Sequence, residues 1–233
     1  RLIFRNKTLR LNSLRNVDDA EEGLADIFGN MQRYVFVSSW TRDKAENIPL
    51  WSLYTPDMKG VRIGIDPEKI YLEYNEQGEV SNIHSVETIS CYQNGQFLFD
   101  VDYGDNFIAE LFSRDGSISQ SNMERLGRTK SRSWEFQKEC RFILYGLHRN
   151  NMKPHFVSAR SWFFERILHK DNCSINHIDL MLSDTVWEDA DILIGPAADL
   201  NDEQYLSSLI NEYYPNSRIN LRKSRLNIRP RRR

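Results

Sequence analysis

Short stretches in which apolar and polar residues alternate dominate the chain, and this two-residue period is typical of half-buried β-strands. Phe4–Leu14 is predicted to form two short strands, and in the second, Thr8–Asn12, the alternation places Leu9 and Leu11 on one face and Arg10 on the other. Further strands are predicted at Tyr34–Ser39, Gly60–Ile65, Ile70–Tyr74, Glu87–Tyr92, Gln96–Asp102, Ile175–Leu182, Asp191–Pro196 and Arg218–Ile228. The chain is therefore expected to be rich in β-structure.

Helical periodicity is clearest in Asp202–Tyr214, where apolar residues recur every three or four positions and Asn201 precedes them as a predicted N-cap. Acidic residues in the first turn favour a second helix over Asp18–Ile27, because they complement the positive end of the helix dipole. A short helix is expected at Ile48–Tyr54. Strands and helices distributed in this way predict an α+β fold with a central, mainly antiparallel sheet flanked by helices.

The domain organisation follows from length and composition. The chain has 233 residues, of which 40% are hydrophobic and 27% charged, enough apolar surface for a well-packed core. No internal repeat or low-complexity linker interrupts it. We therefore predict one domain over residues 1–228, followed by a basic tail, 229–233.

The charge balance argues against non-specific electrostatic binding, because the formal net charge is only −2. Arg218–Arg233 is rich in arginine and contains no acid, so this segment either contacts phosphates or forms a final strand with a solvated end. The three cysteines are widely spaced, which indicates neither a disulfide framework nor a metal site and favours a reducing, cytoplasmic setting. No apolar run approaches the ~20 residues that span a bilayer, so no membrane partner is expected.

The most informative stretch is Lys130–Arg141, which leads directly into an apolar run. On an alternating strand Glu139 and Arg141 share a face, and Glu135 is close enough in sequence to converge on Glu139. A carboxylate at the edge of a buried strand is partly desolvated yet open to a substrate, so Glu139 is a candidate catalytic residue, oriented by Arg141. A structural Glu–Arg pair explains the pattern equally well.

Five other residues are candidates for binding a nucleotide. Ser39, at a strand end, suits a sugar or a phosphate, and Trp51 and Tyr54, on one side of a short helix, suit stacking on a flat ring. Arg10 and Arg62, among apolar strand residues, can hold a pyrophosphate. The alternatives are that the aromatics are core residues and that both arginines point to solvent.

Several reaction classes have no support in the sequence. The five histidines are scattered without zinc-ligand spacing, and no glycine-rich phosphate-binding or GxSxG motif occurs. Asp19 and Glu22 can be considered as metal ligands, but helix capping is the simpler explanation. No metal site is therefore predicted.

Several of these segments occur together in one bacterial family, domain of unknown function 2971, which the chain resembles over nearly its whole length. The segments that carry the resemblance are Leu9–Leu11 with Asp18–Gly23, Val35–Ser39, Trp51–Tyr54 with Gly60–Ile65, the pattern Lys130, Trp134, Gln137, Glu139, Arg141, the stretch Ile192–Pro196, and Lys223–Ser224. The chain departs from the family pattern at Ala20, where proline is usual, and at Gln137, where the first acid of a Glu-x-Glu pair is usual. An opening aromatic strand of the family would precede Arg1.

The order of elements in this family is similar to that of ADP-ribosyltransferases. The resemblance implies a split sheet of that type, NAD as substrate, and Glu139 as the group that steadies an oxocarbenium-like transition state. It implies that Arg10 or Arg62 holds the pyrophosphate and that Trp51 or Tyr54 stacks on nicotinamide. Glu139→Gln is then expected to abolish NAD consumption with little change in melting temperature.

Two functions follow from this reading. The first is a transferase that modifies a macromolecule, nucleic acid rather than protein, as a toxin or phage-defence effector held by an antitoxin or regulatory protein. The second is a non-catalytic binding or sensor module of the same fold.

Overall fold

A computed structural model describes residues 2–19, 22, 31–85, 89–93, 96–105, 125–148 and 174–228. Within these ranges the protein is α+β, with few helices and a mainly antiparallel multi-stranded sheet, which confirms the coarse fold class predicted from the alternating pattern. Most of the predicted helix at 18–27 and the tail 229–233 lie outside the described residues.

The elements are short, as the sequence pattern predicts. The helices are α1 (Leu2–Asn6), α2 (Ile48–Tyr54) and α3 (Leu200–Tyr213). The strands are β1 (Thr8–Ser13), β2 (Val35–Thr41), β3 (Val61–Gly64), β4 (Ile83–His84), β5 (Ile89–Tyr92), β6 (Leu98–Asp100), β7 (Asp102–Gly104), β8 (Thr129–Ser131), β9 (Glu139–His148), β10 (His177–Met181), β11 (Asp191–Ile194) and β12 (Asn220–Lys223). Short 3-10 helices lie at Leu14–Asn16, Met31–Tyr34, Pro56–Met58, Pro67–Lys69, Arg132–Gln137 and Asp184–Val186.

The chain divides into two compact units, each assembled from separate segments. One, here called the terminal unit, comprises Arg1–Thr8, Asp43–Tyr71 and Met181–Arg233. The other, here called the strand-rich unit, comprises Leu9–Arg42 and Leu72–Leu180. Because the chain passes between them several times, no single linker marks a boundary in the sequence. The one-domain organisation, 1–228, stays a prediction.

The sheet of the strand-rich unit is built around β9, whose run Phe142-Ile143-Leu144 is buried. The strand order is β4-β10-β1-β2-β9-β5, and β6 also pairs with β9. Strands β2, β5 and β6 are all antiparallel to β9. In the β2–β9 ladder Ser39 lies opposite Arg141, and Thr41 lies opposite Glu139.

The terminal unit contains a three-stranded sheet, β12-β11-β3, in which β11 is parallel to β12 and antiparallel to β3. Helix α3 buries Leu206, Leu209 and Ile210, as its periodicity predicts. Its N-cap is Asp199, so the prediction of Asn201 is wrong. The Asp199 side chain accepts hydrogen bonds from two backbone amides, and the Asp202 side chain accepts from the Asp199 amide, a closed capping box.

The first of the two strands predicted in Phe4–Leu14 is wrong, because Phe4 lies in α1. Three other predicted strands are shortened to a few residues or broken. Ile70–Tyr74 forms only an isolated bridge between Tyr74 and Val80, and Arg218–Ile228 contracts to β12. The predicted strand Gln96–Asp102 breaks at Val101, because its neighbour changes there. The Val101 amide donates to the Glu139 carbonyl, whereas the Asp102 amide donates to the Arg128 carbonyl.

Candidate functional site

Four charged side chains meet in the interior of the strand-rich unit. Glu22, Lys130, Glu139 and Arg141, here called the charged cluster, are 7%, 1%, 6% and 0% exposed. Each comes from a segment singled out in the sequence, Glu22 from Asp18–Gly23 and the others from Lys130–Arg141. Burying ionised groups is costly unless each is paired and hydrogen-bonded, so the partners decide what the cluster can do.

Arg141 is the centre of the cluster and donates to both acids. Its Nε donates to Glu139 Oε1 at 2.5 Å. Its Nη1 and Nη2 donate to the two oxygens of Glu22, the second at 2.8 Å. Nη1 also donates to the carbonyl of Gly127 at 3.0 Å. The planar guanidinium therefore makes a forked pair with Glu22 and a single bond to Glu139, an arrangement that lysine cannot reproduce.

Lys130 completes the cluster from the opposite side of Glu139. Its Nζ donates to Glu139 Oε2 at 3.0 Å and to Gln137 Oε1 at 2.9 Å. It also lies 3.6 Å from Glu22 Oε1 and 3.3 Å from Asp18 Oδ1. Each oxygen of the Glu139 carboxylate is thus bound by a cation.

Local backbone geometry places these groups. The two-residue period of β9 puts Glu139 and Arg141 on one face, which confirms the predicted contact between them. Gly127 has a φ of 81°, and a Cβ there would lie 3.2 Å from the side chains of Val35 and Val37. Glycine is needed at this position because only it combines that conformation with so close an approach while its carbonyl accepts from Arg141.

The two carboxyl groups of the cluster titrate in opposite directions. Burial acts to raise the pKa of Glu139, but attraction to Arg141 and Lys130, with hydrogen bonds from Arg141 and Ser39, outweighs it, so the pKa is lowered. For Glu22 burial is the larger effect, and its pKa is raised despite the bonds from Arg141. Divergent pKa values in neighbouring carboxyls are characteristic of acid–base sites, although structural ion pairs also produce them.

Two hydroxyls adjoin Glu139, and both belong to residues that are less buried than the charged cluster. The Ser39 side chain hydrogen-bonds the carboxylate, and Ser39 is exposed. The Tyr103 hydroxyl accepts the Glu139 backbone N–H at 2.7 Å, and Tyr103 is half-buried. Desolvation raises the pKa of Tyr103, so its hydroxyl keeps its proton at neutral pH. Ser39 and Tyr103 are therefore the partly exposed residues that contact Glu139.

Two expectations for the acids are wrong. Glu139 was expected at a strand edge open to substrate, but its side chain is only 4% exposed because Arg141 and Lys130 cover both oxygens. Glu135 was expected to converge on Glu139, but it is exposed on the 3-10 helix Arg132–Gln137. The second acid of the site is Glu22.

Of the candidate ligand-binding residues, Arg10 and Ser39 lie in the strand-rich unit with Glu139 and Arg141. Arg10 makes a forked pair with Asp179, at 2.9 and 3.0 Å. Its side chain is half exposed, but its guanidinium already has a carboxylate partner. A pyrophosphate would have to compete with Asp179 for it.

The other three candidates, Trp51, Tyr54 and Arg62, lie in the terminal unit. Trp51 and Tyr54 both belong to α2, where a spacing of three residues places them about 60° apart on the helix surface. Trp51 is 5% exposed and donates its indole N–H to Glu46, whereas Tyr54 is 56% exposed, so only Tyr54 presents its ring to solvent. Arg62 donates to the carbonyls of Lys44 and Ala45 at 3.1 and 3.2 Å.

Sequence reasoning undervalued three residues of the site. Glu22 was attributed to capping, Lys130 only to the resemblance, and Tyr103 was not considered. The signal for Glu22 and Lys130 was their place in the segments that carry the resemblance, whereas nothing in the pattern around Tyr103 distinguishes it from another strand residue.

The described part of the chain contains no group of three or more His, Cys, Asp or Glu side chains arranged to hold a metal ion. Nor does any helix within it have the length and apolar character needed to cross a bilayer. Comparison of the chain with models of known families, with curated proteins and with solved structures gives no match.

Proposed function

We propose that the protein is an NAD-dependent ADP-ribosyltransferase that modifies a macromolecule, with nucleic acid as the favoured acceptor and with Glu139 at its centre. One observation carries the proposal. Three segments that carry the family resemblance, separated by up to 119 residues, bring Glu22, Ser39 and the Glu139–Arg141 pair together. An ADP-ribosyltransferase-like split sheet is part of the same proposal, as is a role as a toxin or phage-defence effector.

The chemistry requires an ionised carboxylate, and the lowered pKa of Glu139 supplies one. In the proposed reaction the bond between ribose C1′ and nicotinamide breaks, and nicotinamide leaves with the bonding pair. The acceptor nucleophile then bonds C1′ and loses a proton to water. Glu139 stabilises the cationic ribose between these events, and Arg141 orients it.

The partners of Glu139 limit how many of its lone pairs a substrate can use. A carboxylate offers about four lone-pair positions. Donors from Arg141, Lys130 and Ser39 occupy three, which leaves about one for a ribose hydroxyl on the exposed Ser39 side. The charged cluster thus keeps Glu139 ionised and in one orientation, and Ser39 and Tyr103 are its less buried contacts.

The test is release of nicotinamide from NAD by the wild-type chain, measured with single-stranded DNA, RNA and protein as acceptors. Glu139→Gln is expected to abolish release, whereas Glu135→Gln, an exposed acid four residues earlier, is expected to retain it. Because Glu139 is buried and paired, the earlier expectation of an unchanged melting temperature no longer applies. Rates must therefore be compared at a temperature where circular dichroism shows both variants folded.

Ser39→Ala reduces that complication, because Ser39 is exposed and the two cations of Glu139 remain. It is expected to lower the rate while lowering the melting temperature far less than Glu139→Gln does. Nicotinamide release by folded Glu139→Gln at the wild-type rate would refute the transferase proposal.

A second candidate function is a non-catalytic binding or sensor module, in which an antitoxin-like or regulatory protein is the partner. The observation that favours it is the double pairing of Glu139, whose two oxygens are each bound by a buried cation. Wild-type protein that releases no nicotinamide, shows no thermal shift with NAD and loses stability on Glu139→Ala would support this module.

A further inference from the structure

An aromatic pair lies on the surface beside the charged cluster. Trp134 and Phe136, here called the aromatic pair, belong to the 3-10 helix Arg132–Gln137. Their rings are stacked, with an angle of 27° between planes and 6.2 Å between centroids. Phe136 is 37% exposed and Trp134 is half-buried. Two stacked aromatic rings that are partly open to solvent are suited to contact a flat ligand.

Lys130 links the aromatic pair to Glu139. Its Nζ lies 4.7 Å from the Trp134 ring centroid and 3.0 Å from Glu139 Oε2, which puts that ring within about 8 Å of the carboxylate. The cation lies over the indole, an attraction that fixes the ring. A flat group would therefore stack on the exposed Phe136 ring, whose centroid lies 6.2 Å from that of Trp134, and would lie beside the charged cluster and not in contact with Glu139.

Two exposed cations flank the aromatic pair in sequence and can contact the phosphates of a ligand stacked there. Arg132 and Lys138 flank it and are both exposed, and Glu135 is the single acid between them. Arg132 also lies 3.6 Å from Asp105, a distance at which an exposed pair is weak and exchangeable. Two cations on either side of exposed aromatics form the usual combination for a single nucleic-acid strand, whose bases stack while its phosphates meet the cations.

We propose that the aromatic pair is a stacking platform for a nucleobase of a single-stranded nucleic acid. As the position of the acceptor base this inference rests on the proposed transferase, but binding of the strand does not. Stacking is indifferent to base identity, so we expect little sequence preference and preference for single strands over duplexes.

The test measures fluorescence anisotropy of labelled ten-nucleotide oligothymidylate and of a duplex with the full chain. Phe136→Leu removes the ring but keeps an apolar side chain, and is expected to weaken oligothymidylate binding about tenfold. Phe136→Tyr is expected to restore it. Tyr205→Leu is the matched control, because Tyr205 is equally aromatic, is 56% exposed and belongs to the terminal unit. It is expected to bind like wild type.

Two results would overturn the platform. Equal binding by wild type and Phe136→Leu would exclude the ring as a contact. Loss of an NAD-induced thermal shift in Phe136→Leu with oligothymidylate binding intact would assign the pair to NAD. Failure of the transferase is distinguishable, because a wild-type chain that releases no nicotinamide but binds oligothymidylate through Phe136 keeps the platform and loses only the reaction.

Discussion

Ion pairs of similar length occur in both units, but their surroundings differ. In the strand-rich unit Arg141 lies 2.5 Å from Glu139, with side chains 0% and 4% exposed. In the terminal unit Arg222 lies 2.5 Å from Asp191, with side chains 51% and 34% exposed. The distances alone would rank the two pairs as equal. Solvent, not distance, determines what each pair contributes to stability.

The difference has a functional counterpart. A surface pair can open to admit a ligand at little cost, because water replaces the lost partner. A buried pair cannot open without leaving a buried charge unpaired, so its two side chains stay in one geometry. The charged cluster is therefore suited to fixing Glu139, whereas contacts that form and break with a ligand belong to exposed groups such as Ser39 and Phe136.

The largest effect is expected from Arg141→Met, which keeps an unbranched side chain but removes the cation that binds both acids. Because Glu22 and Glu139 would be left with Lys130 as their nearest buried cation, unfolding free energy is expected to fall by about 3–5 kcal/mol. Urea denaturation followed by circular dichroism measures the loss. A change as small as that of Arg222→Met would show that water reaches the cluster.

The next largest effect is expected from Glu139→Gln, and its dependence on pH distinguishes Glu139 from Glu22. Glu139→Gln replaces a carboxylate by a neutral amide, and at neutral pH is expected to lower the unfolding free energy by roughly 2 kcal/mol. The pKa of Glu139 is lowered from its ordinary value of 4.5, so its contribution is present above that value and is lost as pH falls through the folded pKa. The difference in unfolding free energy between wild type and Glu139→Gln should therefore become smaller at acidic pH.

Glu22→Gln provides the opposite control. The pKa of Glu22 is raised, so its contribution is fully present below 4.5 and is lost as pH rises through the folded pKa. As pH rises from about 3.5 to 7, the difference in urea midpoint from wild type should thus grow for Glu139→Gln and shrink for Glu22→Gln. Parallel curves would contradict the assignment of opposite pKa shifts.

A smaller effect is expected from Tyr103→Phe, which removes the acceptor of the Glu139 backbone N–H while keeping the ring. A lost hydrogen bond of this kind lowers unfolding free energy by about 1 kcal/mol. Tyr205→Phe, on the exposed face of α3, is the control and should leave the urea midpoint unchanged. Equal midpoints for the two variants would mean that water replaces the Tyr103 hydroxyl.

The smallest effect is expected from Arg222→Met, which breaks the exposed pair with Asp191. Water solvates the remaining carboxylate, so the urea midpoint should not shift measurably. A shift in urea midpoint close to that of Arg141→Met would show that exposure to solvent does not determine what the two pairs contribute to stability.

Local patterns of apolar and polar residues predicted several elements of the fold correctly. The alternation in Thr8–Asn12 and the apolar run after Glu139 correspond to β1 and β9, and the contact between Glu139 and Arg141 follows from their two-residue spacing. Predictions failed where a neighbour distant in sequence decides the outcome. The predicted strand Gln96–Asp102 breaks because Asp102 turns to Arg128, a partner that no local period reveals.

The order of apolar and charged residues was enough to predict the strands and the pairing of Glu139 with Arg141, because side chains two residues apart on a strand point the same way. Tertiary structure alone decided that Glu22 and Lys130 join them and that water is excluded from all four. Desolvation is a property of what surrounds a group in space, and here those surroundings come from segments more than a hundred residues apart, such as Glu22 and Arg141.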